Sequence, residues 1–150
     1  VGDEVLLTGP YGDFYLRDSD RRMICIAVGS GMAPIRSIIM GMTADEIQRR
    51  RPIFFFGART KTDLFMMEEW LELAAKHEAF KFVPALSAPD PEDNWNGASG
   101  RITDVVAQYV PDAHGCEGYL CGSPGMLNAC VDVLTRLGVQ EEHIYYDKFA

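Results

Sequence analysis

Two glycine-containing turns carry the residues whose types and spacing suggest chemistry. One is Val28-Gly29-Ser30-Gly31-Met32-Ala33-Pro34, and the other is Tyr119-Leu120-Cys121-Gly122-Ser123-Pro124-Gly125-Met126. Each follows a short apolar run and precedes a segment that suits a helix. Glycine lets backbone approach a ligand closely. A helix N-terminus then offers unbonded N–H groups and the positive end of its dipole to an anion such as a pyrophosphate. Gly29-Ser30-Gly31 alone is also compatible with a purely structural turn, because Pro34 stands where the third glycine of the dinucleotide fingerprint would be. Cys121 alone reads as a buried strand thiol. Two such turns at opposite ends of one alternating series point instead to a dinucleotide, with a thiol small enough to pack against a nicotinamide.

The elements that would position these turns alternate along the chain. Met23–Val28 is a continuous apolar run, as in a strand buried on both faces. Residues 33–42 suit a helix with Pro34 in its first turn. Ile53–Phe56 is a second strand closed by Gly57, and a helix capped by Thr62 or Asp63 is expected to run to His77. In that helix Phe65-Met66-Met67-Glu68-Glu69-Trp70 is read as core rather than as a partner surface. Phe80–Leu86 is the third strand, and residues 87–97 form a loop rich in Pro, Asp and Asn. A helix over 102–110, a strand over Tyr119–Cys121, a helix over Pro124–Leu137 and a strand over Ile144–Tyr146 complete the series. Strand–helix alternation implies parallel pairing, hence an α/β doubly wound five-stranded parallel sheet of Rossmann-like type. Such sheets bind ligands at the carboxyl ends of their strands, at the switch point. Residues 1–16 read as a separate piece, two short strands around the turn Gly9-Pro10-Tyr11-Gly12, and residues 17–150 as the domain. The chain opens on Val within a strand pattern, so it is expected to be a fragment of a longer protein.

Composition excludes several classes. A net charge of −8 argues against nucleic acid as a partner. No apolar run reaches the ~20 residues of a membrane-spanning helix. Cys116 and Cys121 have the spacing that begins a plant-type iron–sulfur motif, but the next position it needs, 124, is a proline. No metal site is expected, and Cys25, Cys116, Cys121 and Cys130 are expected as reduced thiols. His77, His114 and His143 receive no role. After the second strand, Gly57-Ala58-Arg59-Thr60-Lys61 places two cations near a ribose or phosphate, or else forms a solvated basic turn. After the third, Ser87 is followed by Asp90, Glu92 and Asp93, with no cation until Arg101. Like charge opposes an extra phosphate, so NADH is favoured over NADPH.

These motifs resemble the NAD(P)-binding half of the ferredoxin–NADP reductase superfamily. Gly31-Met32-Ala33-Pro34-Ile35-Arg36-Ser37, Phe56-Gly57-Ala58-Arg59-Thr60-Lys61, Pro91-Glu92-Asp93-Asn94-Trp95 and Asp147-Lys148-Phe149-Ala150 are most similar to the F-subunit family of sodium-translocating NADH:quinone reductases. The resemblance implies that Gly29, Ser30, Gly31, Met32, Ala33, Pro34, Gly57, Ala58, Arg59, Ser87, Trp95, Gly122, Ser123, Pro124 and Met126 contact NAD(H). It also implies that Cys121 and Phe149 act where hydride passes to a flavin, although Phe149 can equally be an ordered apolar tail. Gly9–Phe14 would end a flavin barrel. FAD and a [2Fe–2S] centre would sit in flavin and ferredoxin-like domains of the same polypeptide, outside this fragment. A membrane helix and other membrane subunits would hold the whole at the cytoplasmic face of a bacterial inner membrane. The Cys-Gly-Ser-Pro and Phe-Ala details depart slightly from that family's Cys-Gly-Pro-Pro and Phe-Gly. The reductase component of an aromatic monooxygenase, and a non-catalytic NAD(H)-sensing module, are the alternative readings.

Overall fold

A computed structural model describes residues 2–9 and 11–148. Strands β1 (Arg22–Val28), β2 (Ile53–Ala58), β3 (Lys81–Leu86), β4 (Ala98–Ser99), β5 (Cys116–Gly122) and β6 (Ile144–Lys148) form one sheet in the order β4-β3-β2-β1-β5-β6. All five pairings are parallel. The helices are α1 (Met32–Met40), α2 (Ala44–Arg50), α3 (Met67–Lys76), α4 (Ile102–Tyr109) and α5 (Pro124–Arg136).

Side-chain alternation along the strands explains the two layers. In β1, Met23, Cys25 and Ala27 face a core shared with Met32, Ile35 and Ile39 of α1, Ile47 of α2 and Trp70 of α3. Ile24 and Ile26 face the opposite core, with Val105 and Val106 of α4 and Leu127, Val133 and Leu134 of α5. A strand apolar on both faces is therefore what a sheet covered on both sides requires. The winding reverses between β1 and β5, which places a crevice at their carboxyl ends.

The doubly wound architecture is as expected, with local differences. The sheet has a sixth strand: β4 pairs over two residues with the end of β3, too short to leave a periodic signal. α2 is an addition to the expected series; Thr43 and Glu46 form a reciprocal capping box at its start, and Arg51 stops it at φ 44°. The helix expected from Thr62 or Asp63 begins only at Met67, because Met66 takes φ 55° and Thr60 and Asp63 close a separate short turn. Trp70 is fully buried, as expected, whereas Phe65 and Met66 lie outside the helix and are exposed. Residues 2–9 and 11–21 contain no strand. A strand pattern needs a neighbour to pair with, and these residues find none among the described ones.

Candidate functional site

The turn after β1 is shaped by two glycines with different jobs. Gly29 takes φ +57°, which only glycine adopts at little cost. Gly31 has an ordinary φ, but a Cβ there would strike the Cys121 carbonyl oxygen and lie 2.6 Å from its carbon. The β1–α1 and β5–α5 turns therefore touch through backbone, and only glycine permits it. Gly122 differs, since a Cβ there would meet the end of the flexible Met126 side chain, which can move aside.

Helix N-termini complete the crevice. α1 and α5 begin without any side-chain cap at Gly31 or Ser123, and Pro124 occupies the first turn of α5. α4, starting after Arg101, is likewise uncapped. By contrast α2, away from the crevice, has its complete capping box. Main-chain N–H groups in the first turn of α5 are available to an anion, whereas at the start of α1 the Met32 N–H already donates to the Gly29 and Ser30 carbonyls.

Beside these turns lies a 330 Å³ pocket over the carboxyl ends of β1, β2 and β3. Of the residues expected at the site, Gly57, Ala58, Arg59, Ser87 and Met126 line it. Val28 and Ala85 add apolar wall. Its rim is held by main-chain bonds: Ser87 N–H donates to Ala58 C=O (3.0 Å), Ala88 N–H to Arg59 C=O (2.9 Å) and Gly100 N–H to Leu86 C=O (2.9 Å). Lys61 donates to the Asp93 carbonyl at 3.1 Å, tying the β2 turn to the acidic loop.

Gly29, Ser30, Gly31, Met32, Ala33, Cys121, Gly122, Ser123 and Pro124 form the adjoining turns rather than the pocket wall. Pro34 faces a second, larger groove of 850 Å³ with Tyr145 and residues 11–17. Trp95 folds over Gly97 and donates to the Ala98 carbonyl at 2.9 Å, away from the wall. Phe149 lies outside the described residues. Sequence reasoning missed Gly100, Arg101, Ile102, Thr103 and Ala129, all of which line the pocket. The signal was a third strand-to-helix turn, hidden because β4 is so short. Arg101 thereby joins Arg59 in one pocket despite the acidic loop between them in sequence.

Burial sets the thiol chemistry. Cys121 is fully enclosed, and burial, aided by the Asp147 carboxylate beside it in the sheet, pushes its thiol up to about 11. It is a neutral SH at pH 7 and no nucleophile. The four cysteines are all free and buried, and no group of three His, Cys, Asp or Glu side chains gathers among the described residues. They do not fit a [2Fe–2S] cluster within this chain.

A parallel sheet with glycine turns touching at its switch point, uncapped helix ends and an apolar pocket with two arginines defines a dinucleotide-binding domain. The chain belongs to the oxidoreductase NAD-binding domain family, which matches residues 25–132. The resemblance to the ferredoxin–NADP reductase superfamily thus holds at the level of the family. Two relatives, the F subunits of the Na(+)-translocating NADH-quinone reductases of Yersinia enterocolitica and Haemophilus ducreyi, are each 40% identical to it over 99% of this chain. The chain spans 37% of the length of those relatives. Among solved structures, the Amycolatopsis cytochrome P450 reductase GcoB is 33% identical with a TM-score of 0.82, over 94% of this chain and 42% of that one. The ferredoxin reductase of carbazole 1,9a-dioxygenase is 25% identical with a TM-score of 0.73, over 91% and 40%.

Proposed function

We propose that this chain is the NADH-binding domain of a flavin-dependent reductase, the F subunit of a sodium-translocating NADH:quinone reductase. The observation that carries the reading is the 40% identity to such subunits across nearly the whole chain, together with the Gly31–Cys121 backbone contact that joins the two turns. In the full-length protein a bound flavin would supply the hydride acceptor for NADH, and an iron–sulfur centre would supply one-electron transfer toward quinone. This chain's part is to bind and orient. Gly29–Pro34 and the N-terminus of α1 hold the pyrophosphate. Gly57, Ala58, Arg59 and Ser87, joined by Arg101, enclose the adenosine half. Cys121–Pro124 and Met126 bound the nicotinamide side, and Phe149 is assigned a part in hydride transfer. Trp95 closes the acidic loop onto Ala98.

Residues 1–16 are the end of the flavin barrel, and 17–150 the NAD-binding domain. Leu6, 92% exposed, and Leu7, 86% exposed, await the rest of that barrel. FAD and the iron–sulfur centre belong to the remainder of the polypeptide, which works with membrane subunits at the cytoplasmic face of a bacterial inner membrane. No helix among the described residues is long and apolar enough to cross a membrane.

The donor is NADH. Asp90, Glu92 and Asp93 follow Ser87 in the sequence, and like charge close to the adenosine side would oppose a 2′-phosphate. In the full-length protein, kcat/KM for NADH is expected to exceed that for NADPH by about ten- to a hundredfold, and equal values would end this part of the reading. Cys121→Ala is expected to slow NADH-driven flavin reduction with little change in melting temperature. A second reading, the reductase of an oxygenase, draws on the likeness to the cytochrome P450 reductase. Sodium-stimulated quinone reduction by membranes carrying the full-length protein decides for the pump; electron delivery only to a soluble oxygenase decides for the second reading.

A further inference from the structure

At the amino end of the sheet, opposite the glycine turns, lies a buried ionic network that the binding of a dinucleotide does not require. Arg50, the last residue of α2, and Glu117, near the start of β5, are each 2% exposed. Arg50 Nη2 meets Glu117 Oε2 at 2.5 Å, and the Tyr119 hydroxyl donates to the same oxygen at 3.0 Å.

The remaining donors of this network go elsewhere. Arg50 Nη1 donates to the Arg17 carbonyl at 2.9 Å, and Nε to the Arg21 carbonyl at 3.1 Å. The Arg17 N–H donates to the Tyr119 hydroxyl at 3.1 Å. Three bonds therefore end on the backbone of residues 17–21, where no helix or strand precedes β1. The same stretch is held from outside as well. Phe14 packs edge-on against Tyr119, with centroids 6.3 Å apart. The Arg17 guanidinium lies 3.8 Å from the Tyr15 ring centre and 4.8 Å from that of Tyr145.

A buried ion pair is a poor device for stability alone, because apolar residues of similar volume often serve as well or better. What a guanidinium does that they cannot is to fix several acceptors at set angles. Tyr119 is also two residues from Cys121 on the same face of β5. The network and the nicotinamide-side turn therefore share one strand.

We propose that Arg50, with Glu117 and Tyr119, is a positioning clasp. It fixes the course of residues 13–21, and so the angle at which the flavin-carrying part of the polypeptide meets the nicotinamide. The inference rests on the reading that residues 1–16 end a flavin domain. Arg50 touches no reacting atom and acts only through the segment it holds.

The test uses the full-length flavoprotein. Arg50→Lys keeps the charge opposite Glu117 but cannot fork to both carbonyls. At saturating NADH, stopped-flow flavin reduction is expected to fall by about tenfold or more, since a misplacement of ~1 Å can cost about a hundredfold. The Kd for NAD+ is expected to stay within about twofold, because the glycine turns lie at the other end of the sheet. Chemical reduction of the flavin by dithionite is expected to be unchanged, and hydrogen exchange is expected to speed up at the amide of Arg17. A purely structural role would lower stability without this split between reduction rate and affinity. Tyr119→Phe, which removes the acceptor for the Arg17 N–H without stranding a charge, is expected to show the same split more weakly. Wild-type flavin reduction in either folded variant overturns the clasp. A wild-type protein whose flavin is not reduced by NADH at all overturns the underlying reading instead; Arg17 exchange then judges the clasp, which falls if Arg50→Lys leaves that exchange unchanged.

Discussion

At the scale of single residues, Gly29 and Gly31 make the sharpest contrast, because they are glycines for different reasons. A Cβ at Gly29 has open space around it, and only the φ of +57° opposes it. Gly29→Ala is expected to cost about 1–2 kcal/mol of stability and to weaken NAD+ binding less than Gly31→Ala does. A Cβ at Gly31 would collide with the Cys121 carbonyl, which is backbone and cannot rotate away. Gly31→Ala is expected to push the two turns apart and to weaken NAD+ binding by at least tenfold. Calorimetric titration of both variants, alongside urea unfolding, checks the pair. Equal affinities would show that the contact of the turns is incidental to binding. Arg101 can be tested in the same titration, since nothing in its sequence neighbourhood placed it beside Arg59. Arg101→Ala is expected to raise the Kd for NAD+ by about three- to thirtyfold, the loss of one charge-assisted contact, with no change in unfolding midpoint because the side chain is exposed.

At the scale of elements, α2 begins with a complete capping box, whereas α1, α3, α4 and α5 begin without a side-chain cap. Thr43 and Glu46 satisfy each other at the start of α2, and their hydrogen bonds hold the Glu46 carboxyl below its ordinary value of 4.5. The Thr60 backbone and hydroxyl do the same for Asp63 below 3.8. A carboxyl whose folded value is depressed adds stability above its ordinary value, and that stability is lost as pH falls through the folded value. Thr43→Ala is therefore expected to cost about 1 kcal/mol near neutral pH, and the difference from wild type is expected to shrink below pH 4.5. Urea unfolding over that range reads it. A difference that stays constant into acid would mean that the Thr43 hydroxyl adds nothing to the Glu46 carboxylate, which keeps its bond from the main-chain N–H of residue 43.

The same elements show what the sequence made legible. The five long strands and the two glycine turns were readable, because apolar runs bounded by glycine are a local pattern. α2 was readable in principle from Thr43-Ala44-Asp45-Glu46, but seven residues are too few for a periodic stripe. β4 and the delayed start of α3 were not, since one depends on pairing with β3 and the other on a left-handed Met66. Within the site, Arg59 and Ser87 were legible as strand ends, whereas Arg101 reached the pocket only through that two-residue strand.

For the whole molecule, the leading segment divides into two parts with different bonds to the rest. Val5, Leu6 and Leu7 are 76%, 92% and 86% exposed, and residues 2–9 contribute no member to either core. Phe14 and Leu16 pack against the α1–α3 core, and Arg17 and Arg21 supply the carbonyls that Arg50 occupies. Stability should therefore be insensitive to loss of the first part and sensitive to loss of the second. Removing residues 1–12 from the 150-residue chain is expected to shift the melting temperature by no more than about 2 °C, the shift that a fraction of a kcal/mol produces at this size. Removing residues 1–21 strips away Phe14 and Leu16 and takes two carbonyl acceptors from Arg50, whose ion pair with Glu117 remains; each lost bond to a charged group costs about 1.5–3 kcal/mol. That protein is expected to melt about 10 °C lower or more. Thermal unfolding of the three lengths decides the matter. Equal melting temperatures would mean that residues 13–21 are as loosely held as residues 2–9, and the course of the chain into β1 would then be set by something other than Arg50.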